Sequence, residues 1–353
     1  AMAGLSCSLF GSKAPPASAA TAIPVDAPTA AEPAVSPTPV GGPSTQTLYT
    51  CYGCGGDQVW VLGEGEPDQT TLPVSIASFY GYSPVGNSIL SALNSPWYGA
   101  GPGNVAVSDL TILDLDSGTF RTLIADGVVE ALYAPSGIEL AYILATPSTY
   151  ELHWRDADGS DRLLASDVSF TWSIAPSGQA VAFTRESGYG LSVDPGLFVA
   201  SVDAAEVIRV SAVDKAGSGS TADVPVWSPD SAQILLADWG SGPAAELILA
   251  NADGSGDDGL TIDPALASHR WATIAIPTIL WAPDGETLVV SPAASAEPYG
   301  PSPVVRYHLD RRASLLRQGA LLAEAGTPIA WENPGESLWI LATDGMVQRL
   351  TLP

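Results

Sequence analysis

Between residues 223 and 262 the chain alternates short apolar runs with tight polar clusters. Val224-Pro225-Val226-Trp227 is followed by Ser228-Pro229-Asp230-Ser231, then by apolar runs at 234–237 and 246–250. Asn251-Ala252-Asp253-Gly254 closes the second gap, and a last run occupies 259–262. Runs this short, bounded by Pro, Asp and Gly, predict strands and turns rather than helices. The runs are nearly continuous rather than alternating, so both faces of each strand are expected to be covered. The same order returns at 140–144, 151–154 and 162–164, at 180–183, 197–200 and 207–210, and at 287–290, 304–307 and 314–316.

Each unit carries a relative of one proline motif. Tyr82-Ser83-Pro84, Tyr133-Ala134-Pro135, Ile174-Ala175-Pro176, Trp227-Ser228-Pro229, Trp281-Ala282-Pro283 and Trp331-Glu332-Asn333-Pro334 place their prolines 41 to 54 residues apart. A period of that size, built from short strands, predicts an all-β protein, a β-propeller of four-stranded blades. Residues 326–353 and 46–73 are each too short for a blade. Joined, they predict one blade shared by the two ends, which removes open sheet edges. Six blades follow, with seven if the surplus strands form a blade of their own.

The aromatic-Ser-Pro-Asp turn, with Asn-Ala-Asp-Gly-Ser before the last strand, resembles TolB-like propeller repeats related to WD repeats. The likeness covers residues 46–353; it is best at 227–230, 251–255 and 281–285 and degenerate at 82–84 and 174–178. It implies a propeller fold and an extracytoplasmic, protein-binding habit. It implies no single activity, because one fold carries many functions.

Charge narrows the partners. The chain has 38 acidic and 13 basic residues, a net charge of −25. That excess speaks against nucleic acid, whose phosphates need Lys and Arg, and against anionic lipid headgroups. It suits a cationic partner, or simply solubility in an exposed compartment.

Residues 14–45 hold eight prolines among Ala, Ser and Thr. They read as an extended Pro/Ala-rich tether that reaches roughly 100 Å in polyproline form. Residues 1–13 precede it, and 46–353 form the propeller. The start, Ala1-Met2-Ala3-Gly4-Leu5-Ser6-Cys7, resembles the end of a bacterial lipoprotein signal. It departs from that pattern at Gly4, and the basic and apolar regions of a signal are missing. The resemblance makes Cys7 the lipid attachment site; the alternatives are the end of an uncleaved anchor or a free thiol. Cys51-Tyr52-Gly53-Cys54 lacks the βαβ context of a redox motif, the His of a haem site and a second zinc pair. A local disulfide between Cys51 and Cys54 is the expectation, in an oxidising compartment.

In a four-stranded meander the first-to-second and third-to-fourth turns share one face. These are short here, as at 228–230, 282–285, 116–118, 158–159 and 253–254. The opposite face carries long loops at 94–109, 187–196, 238–245 and 291–303, and links at 212–223 and 263–275. Trp97, Tyr98, Tyr189, Trp239, Trp271 and Tyr299 lie there and are the expected partner-binding anchors. Asp310-Arg311-Arg312 forms the basic turn, either solvated or a contact for an acidic partner.

Catalytic signatures are missing. There is no Gly-x-Ser-x-Gly elbow, no HExxH and no phosphate-cradling loop, and no metal or cofactor motif. His153 and His308 fall on third strands and read as packing residues, while His269 lies on a loop. Asp156-Ala157-Asp158-Gly159-Ser160-Asp161 lacks the ligand spacing of an EF-hand and reads as a turn. The expected function is a non-catalytic, membrane-tethered, extracytoplasmic propeller that binds another protein subunit. The alternative is an enzyme or carbohydrate-binding protein that uses the central channel.

Overall fold

The computed structural model describes residues 47–50, 58–62, 68–71, 78–85, 87–93, 97–100, 105–185, 194–204, 206–212, 224–238, 246–262, 278–291, 304–311, 315–324, 326–332, 337–341 and 347–351. All of them belong to the unit Pro43–Pro353. Every regular element among them is a strand. None is a helix long and apolar enough to cross a membrane.

Seven meanders follow one another. The first is β1 (Thr47–Thr50), β2 (Gln58–Leu62) and β3 (Asp68–Thr71). The second is β4 (Ser78–Tyr82), β5 (Ser88–Ala92), β6 (Trp97–Ala100), β7 (Val105–Asp114) and the first half of β8 (Thr119–Tyr133). The second half of β8 opens the third, with β9 (Leu140–Ala145), β10 (Tyr150–Arg155) and β11 (Asp161–Ser166). The fourth holds β12 (Trp172–Ile174), β13 (Ala180–Arg185), β14 (Gly196–Ser201) and β15 (Val207–Ser211). The fifth holds β16 (Val226–Trp227), β17 (Gln233–Asp238), β18 (Glu246–Asn251) and β19 (Asp257–Ile262). The sixth holds β20 (Thr278–Trp281), β21 (Thr287–Ser291), β22 (Val304–Asp310) and β23 (Leu315–Ala323). The last is β24 (Thr327–Glu332), β25 (Ser337–Leu341) and β26 (Val347–Thr351). Consecutive strands within each meander pair antiparallel, except that β5 pairs β7 directly and β6 pairs only β7, and the first strands of successive meanders lie against one another. This is the all-β propeller that the period predicts.

Two ladders cross meander boundaries. β8 pairs with β7 through Thr119–Ile124 and again at Val128, opposite Ser108, and with β9 from Val128 to Tyr133, so the link between meanders is itself a strand. β19 and β23 join in parallel at Thr261–Leu315 and Ile262–Leu316.

Two expectations are corrected. The terminal segments do not share a ladder: β1–β2–β3 and β24–β25–β26 are separate sheets among the described residues. Both segments complete their own local hairpins, and hairpins close at less entropy than a ladder spanning the whole chain. The loop expected over 94–109 contains β6, which pairs with the start of β7. The aromatic and β-branched residues at 97–98 and 105–107 favour that pleated extension.

The core lies between meanders. Val181 and Phe183 of β13 pack on Ile143, Leu152 and Trp154 of the preceding meander. Ala182, between them, packs towards Trp227, Ile234 and Leu236 of the next. In β17, Ile234 and Leu236 face back while Leu235 faces forward to Trp281 and Leu288. Period-2 alternation therefore splits each apolar run between two neighbours, which is why the runs are continuous.

The proline turns repeat one geometry. The amides of Ser83, Ala134, Ala175, Ser228 and Ala282 each donate to the carbonyl five residues on, at 2.8–2.9 Å. The amides of Gly137, Gly178, Ser231 and Gly285 donate to the residue three before, at 2.8–3.0 Å. All four have positive φ, +70, +72, +59 and +73°. A left-handed residue at the fourth position of a type I turn, with four residues between the bonded pair, makes these four-residue hairpin loops.

Gly137 is also hemmed in: a Cβ there would meet Val85 Cγ2 at 2.2 Å and Ser83 Oγ at 2.8 Å. Gly118, with φ +66°, has open space. Gly137→Ala is expected to lower stability by about 2–3 kcal/mol, and Gly118→Ala by about 1 kcal/mol. Urea unfolding midpoints of the two variants check the difference.

Candidate functional site

The short-turn face carries a groove of about 470 Å³ between the fourth and fifth meanders. Adjacent sheets diverge away from their first strands, and the groove is the wedge they leave open. One wall is the proline turn at Ala175, Ser177 and Gln179 with the β14–β15 turn at Asp203 and Glu206. The other is the proline turn at Asp230 and Ser231 with the β18–β19 turn at Ala252 and Asp253. Trp227, Val199 and Ile208 supply apolar lining. Trp227 is 7% exposed, and its indole N–H donates to Ser173 O at 3.2 Å. Ser173 Oγ–H donates back to Pro225 O at 2.6 Å, so two first strands are cross-tied beside the groove.

Ser231 occupies the left-handed position that glycine holds in three of the other turns. Its Oγ accepts Ser177 N–H at 3.0 Å. That bond joins the two proline turns and explains why a residue with a side chain sits at a strained φ. Ala252 N–H to Ala232 O, 2.9 Å, ties the second wall together.

The walls carry four carboxylates. Asp230 Oδ1 accepts Ser228 Oγ–H at 2.6 Å and Ala232 N–H at 3.1 Å. Those bonds, with Arg311 nearby, hold its carboxyl below the ordinary range despite some burial. Asp253 Oδ1 accepts Ser255 N–H at 2.9 Å, and the Ser255 hydroxyl and amide lower its pKa in the same way. Asp203 and Glu206 stand exposed on the facing turn. Arginines around the groove are engaged elsewhere. Arg162 donates to Val202 O at 2.7 Å and to Asp156 Oδ1 at 2.6 Å. Arg209 pairs with Asp194 at 2.8 Å, and Arg311 donates to Gly285 O at 2.7 Å. Sequence reasoning read Asp230 and Asp253 as turn formers, which they are. It missed that two meanders bring them opposite Asp203 and Glu206.

A second polar group lies on the first strands. Trp172 Nε1–H donates to Glu130 Oε2 at 2.8 Å, bridging β12 to β8. Burial pushes the Glu130 carboxyl up, against the lowering effect of that bond. Tyr80 bonds Ser108 through their hydroxyls. Burial raises the Tyr80 pKa, and the charges of Asp109 and Glu130 raise it further.

Most sequence-predicted sites fall outside the described residues: Cys7, Cys51, Cys54, Tyr189, Trp239, Trp271, Tyr299 and Arg312. Trp97 and Tyr98 lie on β6. Arg311 folds back onto the neighbouring β20–β21 turn rather than standing free. His153 stacks on Tyr142 at 5.2 Å and contacts Glu151 at 3.0 Å. His308 is exposed on β22, not packed, because it alternates with the inward Tyr307 and Leu309. Asp156 and Asp158 stabilise their turn through Arg162 and Ser160. No group of three or more metal-ligating side chains occurs among the described residues.

Glu130 yields a pH prediction. Its folded pKa is raised, so the native state binds that proton more tightly than the unfolded chain does. Its contribution is fully present below the unfolded carboxylate range and is lost as pH rises through the folded pKa. Glu130→Gln keeps the acceptor for Trp172 and should gain stability over the native protein as pH rises. Glu130→Ala strands the indole N–H and should cost about 1–3 kcal/mol at acidic pH. Urea unfolding of both variants across pH 4–8 checks this.

No family model and no curated protein matches the chain. Solved structures do. Hydrazine synthase of Kuenenia stuttgartiensis is 11% identical with a TM-score of 0.54, covering 91% of this chain and 98% of that one. A candidate 6-phosphogluconolactonase of Bacteroides uniformis is 15% identical with a TM-score of 0.53, covering 87% and 92%. The tricorn protease is 10% identical with a TM-score of 0.52; the match covers 88% of this chain but only 33% of the protease. At such identities the likeness is one of fold, and the chain has the β-propeller fold that its turn motif implied.

Proposed function

We propose that this chain is a non-catalytic, extracytoplasmic, protein-binding propeller. It serves as an accessory or scaffold subunit of a membrane assembly, held there through Cys7 and the 14–45 tether. The seven meanders are taken as seven blades, the two terminal ones three-stranded, with a Cys51–Cys54 disulfide between β1 and β2. The groove between the fourth and fifth meanders carries the reading. It is preformed, walled by short cross-tied turns, part apolar, and rimmed by carboxylates whose one cationic neighbour among the described residues is Arg311, near Asp230. Rigid turns that display such groups lose little entropy on binding. The long-loop anchors, Trp97, Tyr98, Tyr189, Trp239, Trp271 and Tyr299, would offer a second contact on the other face.

A second reading, a ligand or catalytic site on the channel side, is favoured by the grouping of Tyr80, Asp109, Glu130 and Trp172 near the first strands. A buried carboxyl with a raised pKa suits a general acid.

Photo-cross-linking in intact producing cells tests the first reading. A benzoylphenylalanine at position 179 samples the groove, and one at Ser148 samples the opposite face. The expected outcome is one discrete protein adduct from position 179. An adduct from Ser148 alone moves binding to the long-loop face and keeps the protein-binding reading. Monomer alone from both positions, and from positions 97 and 98, rejects it.

A further inference from the structure

The groove is one part of a longer surface. Along the short-turn face successive proline turns touch. The Gly137 position lies against Val85, the Gly178 position against Pro135, and Ser177 is bonded to Ser231. At one end this arc exposes Val85, 52% accessible, and Ile138, 59% accessible, with the exposed Pro135 beside them. At the other end it opens into the carboxylate-rimmed groove. Each end alone is ordinary: single exposed apolar residues are common, and turn aspartates serve geometry. Their continuity along one arc of rigid turns is what distinguishes the surface.

Resting on the protein-binding reading above, we propose that this arc docks an extended segment of a partner protein that carries two or more Arg or Lys residues beside apolar ones. The basic side chains enter the groove, and the apolar side chains cover Val85, Pro135 and Ile138. Charge complementarity commits the occupant. Asp203, Glu206, Asp230 and Asp253 stand on three separate turns, and they converge on no single point. Carboxylates spread along two walls match separated cationic groups better than one metal ion. The groove volume lies within the range of about 300–1,000 Å³ of built ligand clefts, and its apolar lining receives the aliphatic stems of Arg and Lys. An acidic or neutral segment would leave the wall charges uncompensated on desolvation. The net charge of −25 steers any cationic segment towards the molecule, and the arc supplies the local fit.

Fluorescence anisotropy at 150 mM salt tests this with three labelled decapeptides. One alternates Arg and Leu, one replaces each Arg by Glu, and one replaces each Leu by Ser. The first is expected to bind; the Glu peptide is not, and the Ser peptide should bind more weakly. Asp203→Asn with Asp253→Asn should weaken the Arg–Leu peptide about tenfold. Asp126→Asn with Glu324→Gln removes the same charge from exposed sites away from the arc and should change affinity less than about twofold. Ile138→Ser should weaken the Arg–Leu peptide towards the affinity of the Ser peptide and leave the Ser peptide unchanged. Equal losses in the two double variants would reduce the effect to net charge and overturn the proposal. So would absence of binding, or an unchanged affinity in the groove variant. If position 179 cross-links in cells while the peptides fail, the partner chemistry is wrong and the protein-binding reading stands. Circular dichroism of every variant separates lost binding from lost folding.

Discussion

The whole structure depends on each sheet burying both of its faces against its neighbours. Val181 and Phe183 point one way and Ala182 the other, and Ile234, Leu235 and Leu236 repeat the arrangement one meander later. A strand that is apolar on both faces has no solvent side, so a meander of this kind is unstable alone and is completed by stacking. Fully burying a side chain such as Leu or Phe contributes about 1.5–3 kcal/mol, and here nearly every such contribution crosses a meander boundary. Neighbouring meanders therefore stabilise one another, and the first strands carry polar ties, Trp172 to Glu130 and Trp227 to Ser173, where they meet.

The same constraint makes the groove. Twisted sheets that touch at their first strands separate further out. Most of that space is filled by apolar side chains. Between the fourth and fifth meanders the turn ends stay open, because Ala175, Ala180 and Ala252 are too small to close them. The turns around the opening are over-determined by hydrogen bonds. Asp230 and Asp253 thus fix the backbone and present charge with the same carboxyl groups. A residue chosen for turn geometry thereby also places charge along the groove at no added conformational cost.

Much of this was legible in the chain. The five proline turns among the described residues, the strand positions after them and the stacking of two-faced sheets all follow from local composition and spacing. The fate of the termini was not. Two segments of matching length suggested a shared blade, yet length says nothing about which edge a strand pairs with, and β1–β3 and β24–β26 each close on themselves. β6 was hidden for a related reason, since Trp97–Ala100 is strand only because β7 extends to meet it. His308 shows the limit of strand position alone: its place on β22 was right, and its face was not.

What the sequence by itself determined is local: where the chain turns, where it runs straight, and that both faces of each run must be covered. Proline φ, left-handed glycine and the two-residue pleat act within a few residues, so they can be read in order along the chain. Tertiary structure alone decided which sheet edges stayed open, which carboxylates face each other and which apolar residues reach solvent. Asp203 and Asp253 meet across one groove although fifty residues separate them. Their encounter is set by the twist and packing of whole sheets, a sum over many weak contacts that no short stretch of sequence records.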